Sequence, residues 1–182
     1  MNWLERGWYK QHRQTLWLLP LSLIFGVVRA MRLIGYRLGL MSTRRSKLPV
    51  IVVGNITVGG TGKTPFVLYL VELLKTHGFR PAVVSRGYGA DPKSGPFPRL
   101  VTGDDSVAFA GDEPKLMAML SGCPVVIAPN RADAVAYVET NTDADVVISD
   151  DGLQHYAMAR DIELVILDAA RQLGNGWLIP VG

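Results

Sequence analysis

A short glycine-rich stretch ends in residues of the types that bind phosphate. The stretch GNITVGGTGKTP begins at Gly54, and it places three glycines just before Lys63 and Thr64. Glycines lack a Cβ atom, so successive backbone N–H groups can curl around an anion. A lysine here reaches the β- and γ-phosphates of a nucleotide, and the threonine hydroxyl takes one magnesium position. The stretch predicts a phosphate-binding loop, with a structural glycine-rich turn as the alternative.

The surroundings of this loop support the prediction. An apolar run, VIVV (50–53), precedes it, and a helix is predicted to begin at Lys63–Thr64. A helix N-terminus adds unpaired N–H groups and a positive dipole end, and Pro65 needs no donor in a first turn. We therefore predict that Lys63 also takes part in catalysis. The predicted nucleotide-binding residues are Thr57, Val58, Gly59, Gly60, Thr61, Gly62, Lys63 and Thr64.

Two adjacent acids end another apolar run. DVVIS (145–149) is followed by Asp150 and Asp151. A magnesium nucleotide site needs carboxylates, usually at the end of a neighbouring strand. Neighbouring acids at a strand end point in different directions, so one can hold the metal while the other orients substrate or water. An acidic turn with Gly152 is the alternative, which the position at a strand end disfavours.

The elements that must position these residues alternate between β-branched runs and helical stretches. Strands are predicted at 50–53, 82–85, 125–128, 145–149 and 162–168, and helices near 63–77, 112–121 and 130–140. Apolar strands separated by helices indicate an α/β fold of the P-loop NTPase type, with a mostly parallel sheet flanked by helices. The stretch 86–111, rich in Gly, Pro and Asp, is predicted to be a long functional loop.

Composition limits the classes of function. The 182 residues suit one full core, and the single cysteine, Cys123, excludes an internal disulfide framework. Residues 1–47 contain nine of the 19 Lys and Arg residues but only one of the 16 acids. The rest of the chain is therefore net acidic, and a nucleic-acid-binding surface is not indicated.

Residues 1–47 are also strongly apolar and form a predicted helical arm. The run 16–28 is uncharged but interrupted by Pro20, and it is too short to span a bilayer as a helix. A helix is predicted from Ile24, with an apolar stripe (Ile24, Val27, Met31, Ile34 and Leu38) opposite Arg29, Arg32 and Arg37. This pattern predicts an interfacial helix on an anionic membrane surface. Packing of the stripe on the body, residues 48–182, is the alternative.

Five motifs occur in an order that identifies a resemblance. They are VVGNITVGGTGKTP, VVSRGYG (83–89), AGDEP (110–114), DDGLQHY (150–156) and GNGWLIPVG (174–182). Together they resemble the tetraacyldisaccharide 4'-kinases of Gram-negative bacteria, over essentially the whole chain. In that family threonine replaces the first glycine of the phosphate-binding loop, as Thr57 does here.

The resemblance implies ATP- and Mg²⁺-dependent phosphorylation of the 4'-hydroxyl of an acylated glucosamine disaccharide 1-phosphate, at the cytoplasmic face of the bacterial inner membrane. It implies that Asp112 is the base for the sugar hydroxyl and that Asp150 and Asp151 handle magnesium and the reacting groups. Positions near the active site are Arg86, Gln154 and His155. Spacing alone would instead make Asp112 the N-cap of the helix at 112–121.

The resemblance also implies a second, C-terminal domain beyond LIPVG that completes the cleft and supplies a histidine partner for Asp112. We therefore expect at most trace kinase activity from residues 1–182 alone. One rival interpretation is a membrane-associated P-loop ATPase of the partitioning type, although Val58 stands where that class has its signature lysine. The second rival interpretation is a non-enzymatic membrane adaptor, which would leave Asp112 and Asp150 without a role.

Overall fold

The computed structural model describes residues 7–9, 12–56, 62–169 and 172–181. The chain forms two compact units. The first comprises the described residues of Met1–Ser42, Ile56–Gly59 and Leu167–Gly182, and the second those of Thr43–Asn55 and Gly60–Ile166. The division into domains at residues 1–47 and 48–182 stays a prediction; by compactness, the first unit also takes in the last described residues of the chain.

The first unit is an apolar helix joined to residues near the other end of the chain. A 3₁₀ turn, His12–Leu18, leads into helix α1, Leu19–Arg37. The Thr15 hydroxyl donates to the Val181 carbonyl at 2.9 Å, and the Ser22 hydroxyl donates to the Leu178 carbonyl at 2.8 Å. Both hydroxyls belong to buried residues, so these bonds satisfy polar groups of an otherwise apolar helix.

Helix α1 begins five residues before the predicted start at Ile24. Pro20 lies in its first turn, where a missing N–H breaks no intrahelical bond, so the interpretation of Pro20 as an interruption is wrong. Among the described residues, the helical stretch Thr15–Arg37 is long and apolar enough to cross a membrane, judged by length and composition only. The predicted apolar stripe is exposed along its whole length.

A six-stranded sheet forms the centre of the second unit. Its strands are β1 (Val50–Asn55), β2 (Pro81–Ser85), β3 (Arg99–Val101), β4 (Val125–Ile127), β5 (Val146–Asp150) and β6 (Ile162–Ile166). Their order across the sheet is β3-β4-β2-β5-β1-β6, and only β3 runs antiparallel to its neighbour. The predicted α/β fold with a mostly parallel sheet is confirmed.

Helices cover both faces of this sheet. They are α2 (Lys63–Thr76), α3 (Val107–Ala110), α4 (Asp112–Ser121) and α5 (Arg131–Asn141). Ile51 and Val53 pack with residues of α2 and α4, whereas Val50 and Val52 pack with residues of α5. Because β1, β2, β4 and β5 are buried on both faces, their sequences are largely continuous apolar runs, whereas the residues of β6 are exposed or half-buried.

The stretch 86–111 contains more structure than the predicted loop. It includes a 3₁₀ turn at Pro92–Ser94, the edge strand β3 and the short helix α3. The Arg99 side chain, 3% exposed, organises it by lying against the rings of Phe97 and Phe109. Its guanidinium donates to the backbone carbonyls of Asp91, Pro92, Gly95, Pro96 and Phe109. Elements of three and four residues are too short to give a periodic pattern, so the sequence did not reveal them.

Candidate functional site

Three strands that precede predicted site residues end at the carboxyl edge of the sheet in the second unit. β1 ends at Asn55, β2 at Ser85 and β5 at Asp150. In the sheet register, Asp150 lies beside Val53 of β1, and Ser149 lies beside Val84 of β2. Ligands of parallel α/β sheets bind outside this edge.

The phosphate-binding loop is described only at its end. Thr57, Val58, Gly59, Gly60 and Thr61 lie outside the described residues. Gly62 precedes α2 with φ of 75°, a left-handed conformation that favours glycine. Within the described part of the chain, no side chain caps the N-terminus of α2. Its first N–H groups therefore suit an anion.

Lys63, the first residue of α2, contacts two acceptors at the sheet edge. Its Nζ donates to Asn55 Oδ1 at 2.8 Å and to Asp151 Oδ1 at 3.0 Å. The residue that ends the glycine-rich stretch therefore lies beside the acidic pair. The sequence does not single out Asn55, whose only signal is its place as the last residue of β1.

Asp150 is nearly fully buried, with 2% of its surface exposed. Burial, together with the negative charges of Glu113 and Asp151, raises the pKa of its carboxyl to about 6, against the opposing effect of the positive charges of Lys63 and Arg131. Its Oδ1 has no hydrogen-bond partner within the described residues. A buried carboxylate oxygen without a partner is costly unless a cation or donor joins it, and such groups cluster at functional sites.

Arg131 is a second site residue that the sequence did not indicate. It is the first residue of α5, it is buried, and its Nη2 donates to the Asp151 carbonyl at 3.0 Å. Burial lowers its pKa, as does the charge of Arg86, whereas Asp151 and Asp150 raise it. Two arginines and two aspartates thus interact electrostatically at this edge.

Asp112 begins α4 as its first helical residue, and Gly111 occupies the N-cap position with φ of 81°. The alternative in which Asp112 caps this helix is therefore wrong. A Cβ on Gly111 would lie 2.3 Å from the Tyr88 carbonyl oxygen, so the segment after β2 passes directly against the start of α4. The Asp112 side chain is exposed in the first turn, where the helix dipole favours negative charge.

The three remaining predicted residues follow β2 and β5. Arg86 and Gln154 are exposed, and His155 is half-buried. The His155 Nε2 donates to Asn130 Oδ1 at 3.0 Å, and Asn130 also caps α5. His155 therefore lies near the N-terminus of the helix that carries Arg131. The roles of Arg86, Gln154 and His155 in binding stay predictions.

Comparisons with known proteins give a consistent family assignment. The model of the tetraacyldisaccharide-1-P 4'-kinase family matches residues 14–182. A tetraacyldisaccharide 4'-kinase from Idiomarina loihiensis is 54% identical over 99% of this chain and 55% of its own length. One from Aeromonas hydrophila is 52% identical over 98% of this chain and 53% of its own length.

A solved structure agrees. The crystal structure of LpxK from Aquifex aeolicus in complex with ATP superposes with a TM-score of 0.74 at 35% identity, over 84% of this chain and 48% of that one. This chain spans about half the length of the relatives that it matches.

Proposed function

The chain belongs to the tetraacyldisaccharide-1-P 4'-kinase family, and from this premise we propose that it binds ATP for transfer of the γ-phosphate to a lipid disaccharide. The acceptor is the 4'-hydroxyl of a tetraacylated glucosamine disaccharide 1-phosphate, in lipid A biosynthesis. One observation carries the proposal: Lys63, at the end of the glycine-rich loop, contacts Asp151 at the carboxyl edge of the sheet. The ATP bound to the related Aquifex aeolicus protein supports the choice of nucleotide.

In this proposal, the N-terminus of α2 and Lys63 bind the β- and γ-phosphates. The glycine-rich residues that precede Lys63 supply further backbone N–H groups. Thr57 to Thr64 together form the nucleotide site. Phosphoryl transfer needs mostly positioning and charge neutralisation, which a fixed lysine and a helix N-terminus supply.

The residues present fit a magnesium ion. Mg²⁺ in nucleotide sites takes one or two carboxylates and completes its shell with phosphates and waters. The Oδ1 of Asp150, which has no hydrogen-bond partner among the described residues, suits such a cation, and Asp151 and Thr64 would complete the protein ligands. When bound, the ion would neutralise charge on the phosphates.

The acceptor hydroxyl attacks the γ-phosphorus, its proton passes to Asp112, and ADP leaves. Asp112 is exposed in the first turn of α4 and has no capping role, so its carboxylate is available to a substrate. Arg86, Gln154 and His155 lie after strands of the same sheet edge and would contact the acceptor.

Helix α1 would place the protein at the cytoplasmic face of the inner membrane. Its apolar side chains are exposed, and Arg29, Arg32 and Arg37 supply positive charge for anionic lipid. The acyl chains of the acceptor lie in such a membrane, so this attachment would bring enzyme and substrate together.

ADP release in the presence and absence of the disaccharide tests the proposal. A kinase consumes ATP at a rate that rises with added tetraacyldisaccharide 1-phosphate. An ATPase of the partitioning type, which family membership does not favour, would consume ATP at a rate that the disaccharide leaves unchanged. Lys63→Ala serves as the inactive control in both cases.

A further inference from the structure

The segment after β5 carries three of the predicted site residues without being part of a helix or a strand of the sheet. Residues 151–157 form turns, and Met158 makes an isolated bridge to Arg44. Asp151, Gln154 and His155 therefore depend on contacts from elsewhere for their positions.

Asp151 in particular adopts a backbone conformation that needs support. Its φ is 52°, in the left-handed region, which residues with a Cβ adopt rarely and aspartate more often than most. Its carbonyl accepts a bond from Arg131, and its carboxylate meets Lys63. A residue in this conformation persists when its neighbours along the chain are also fixed.

Arg160 fixes those neighbours. Its Nη1 donates to the Leu153 carbonyl at 3.0 Å and to the Gly152 carbonyl at 3.4 Å. Its Nη2 donates to the His155 carbonyl at 2.8 Å, and its Nε donates to the Met158 carbonyl at 3.3 Å. One guanidinium thus joins four carbonyls of the segment, beginning at the residue that follows Asp151.

The same guanidinium is attached to the sheet. Its Nη1 lies 2.9 Å from Glu163 Oε1, and Glu163 belongs to β6, in register with Val52 of β1. The Arg160 side chain is only 12% exposed, so its hydrogen bonds are largely protected from water. Arg160 therefore connects the segment that begins at Asp151 to the strand beside the one that leads into the phosphate-binding loop.

We propose that Arg160 is a positioning residue that holds Asp151 in the orientation in which its carboxylate meets Lys63, and that it thereby sets the affinity for magnesium-bound ATP. The proposal deepens the proposed function and rests on its nucleotide site. Among the described residues, Arg160 makes no hydrogen bond to Lys63; it acts through the backbone of residues 152–158.

Titration calorimetry with ATP, in Mg²⁺ and in EDTA, tests the proposal on the full chain. Mutation of a residue that orients a metal ligand without contacting the metal typically lowers affinity by about 10–100-fold. Arg160→Met should weaken Mg-ATP binding by about 10-fold and metal-free ATP binding less than about 2-fold. The loss should disappear when Asp151→Asn is already present, because the two residues act as one unit.

Arg99→Met is the matched control. Arg99 is also a buried arginine that joins backbone carbonyls of a surface segment, in this case residues 91–96 and Phe109. Arg99→Met should also lose stability. However, the ratio of its ATP affinity in Mg²⁺ to its ATP affinity in EDTA should equal that of the wild type. Arg160→Lys retains the charge and part of the hydrogen bonding, so its Mg-ATP affinity should fall between that of the wild type and that of Arg160→Met.

Equal losses in Mg²⁺ and EDTA, or an undiminished loss in the Asp151→Asn background, would overturn the proposal. If Arg160→Met does not fold, Arg160→Lys provides the test. A lower unfolding midpoint for Arg160→Lys with unchanged Mg-ATP affinity would also overturn the proposal. Hydrogen exchange gives a readout that does not need nucleotide, since the amides of 152–158 should exchange faster in either variant. Faster exchange together with a wild type that binds no ATP would contradict the nucleotide site and leave the positioning of Asp151 intact.

Discussion

Lys63 and Asp151 form an ion pair between the first residue of α2 and the residue after β5, with 3.0 Å from Nζ to Oδ1. The Asp151 side chain is 60% exposed and that of Lys63 is 21% exposed. An ion pair that is open to water on one side contributes about 1 kcal/mol or less. The phosphates of a nucleotide can therefore replace Asp151 as the partner of Lys63 at a small free-energy cost. The hydrogen bond to Asn55 would keep the Lys63 ammonium at the sheet edge.

Lys63→Ala should abolish measurable Mg-ATP binding. Losing a charge-assisted contact to phosphate costs on the order of 2–4 kcal/mol. Calorimetry measures the affinity, and Lys47→Ala is the control because Lys47 lies before β1, at the opposite edge of the sheet. Equal affinity of the wild type and Lys63→Ala would rule out the phosphate-binding loop.

Asp150→Asn should change how stability depends on pH. The carboxyl has a pKa of about 6 in the folded chain against an ordinary value of 3.8, because of burial and the nearby charges of Glu113 and Asp151, opposed by Lys63 and Arg131. The native state thus binds this proton more tightly. Its contribution to stability is fully present below pH 4 and is lost as pH rises through 6.

The variant lacks this titration, so above pH 7 it should be more stable than the wild type by on the order of 2–3 kcal/mol. Urea unfolding in EDTA between pH 4 and pH 8 measures the difference between the two proteins. A difference that does not change over this range would show that Asp150 titrates normally in the folded state.

Reversal of charge on α1 should weaken membrane binding. Arg29, Arg32 and Arg37 changed together to Glu should reduce flotation with anionic vesicles, and high salt should weaken the binding that remains. A variant with Glu in place of Lys47, Arg80 and Lys93 has the same net charge and should float like the wild type. Undiminished flotation of the α1 variant would contradict an electrostatic attraction through this helix.

Asp112→Asn should cut turnover by about 10²–10⁴-fold with nearly unchanged Michaelis constants, because a base acts mainly in the transition state. Steady-state kinetics of the purified protein measure this effect. Asp143→Asn is the control, since Asp143 is an exposed acid whose ion pair with Arg80 is long. Turnover close to that of the wild type would remove Asp112 from the mechanism.

The main strands and helices could be predicted from sequence because local pattern determines them. Apolar runs buried on both faces mark β1, β2, β4 and β5, and the predicted helix at 112–121 has the observed bounds. The carboxyl-edge site then follows from topology, since parallel strands end at one edge. For this reason the sequence predicts that Asp150 and Lys63 lie at the same edge of the sheet.

Residues whose roles come from tertiary contacts could not be predicted. Arg131 and Arg160 are ordinary surface residue types, and only the fold shows that they donate to backbone carbonyls around Asp151. The bond between Thr15 and Val181 joins positions 166 apart, which no periodic pattern reveals. The cap assignment of Asp112 failed because Gly111 already occupies that position.

Transfer of labelled γ-phosphate from ATP is the most direct test of the proposed kinase function. The protein that carries this chain is incubated with labelled ATP and tetraacyldisaccharide 1-phosphate, and the position of the label is read by mass spectrometry. Kinase activity predicts label on the 4'-oxygen of the disaccharide with the wild type and none with Lys63→Ala. Label released only as inorganic phosphate, at a rate that the disaccharide does not change, would contradict it.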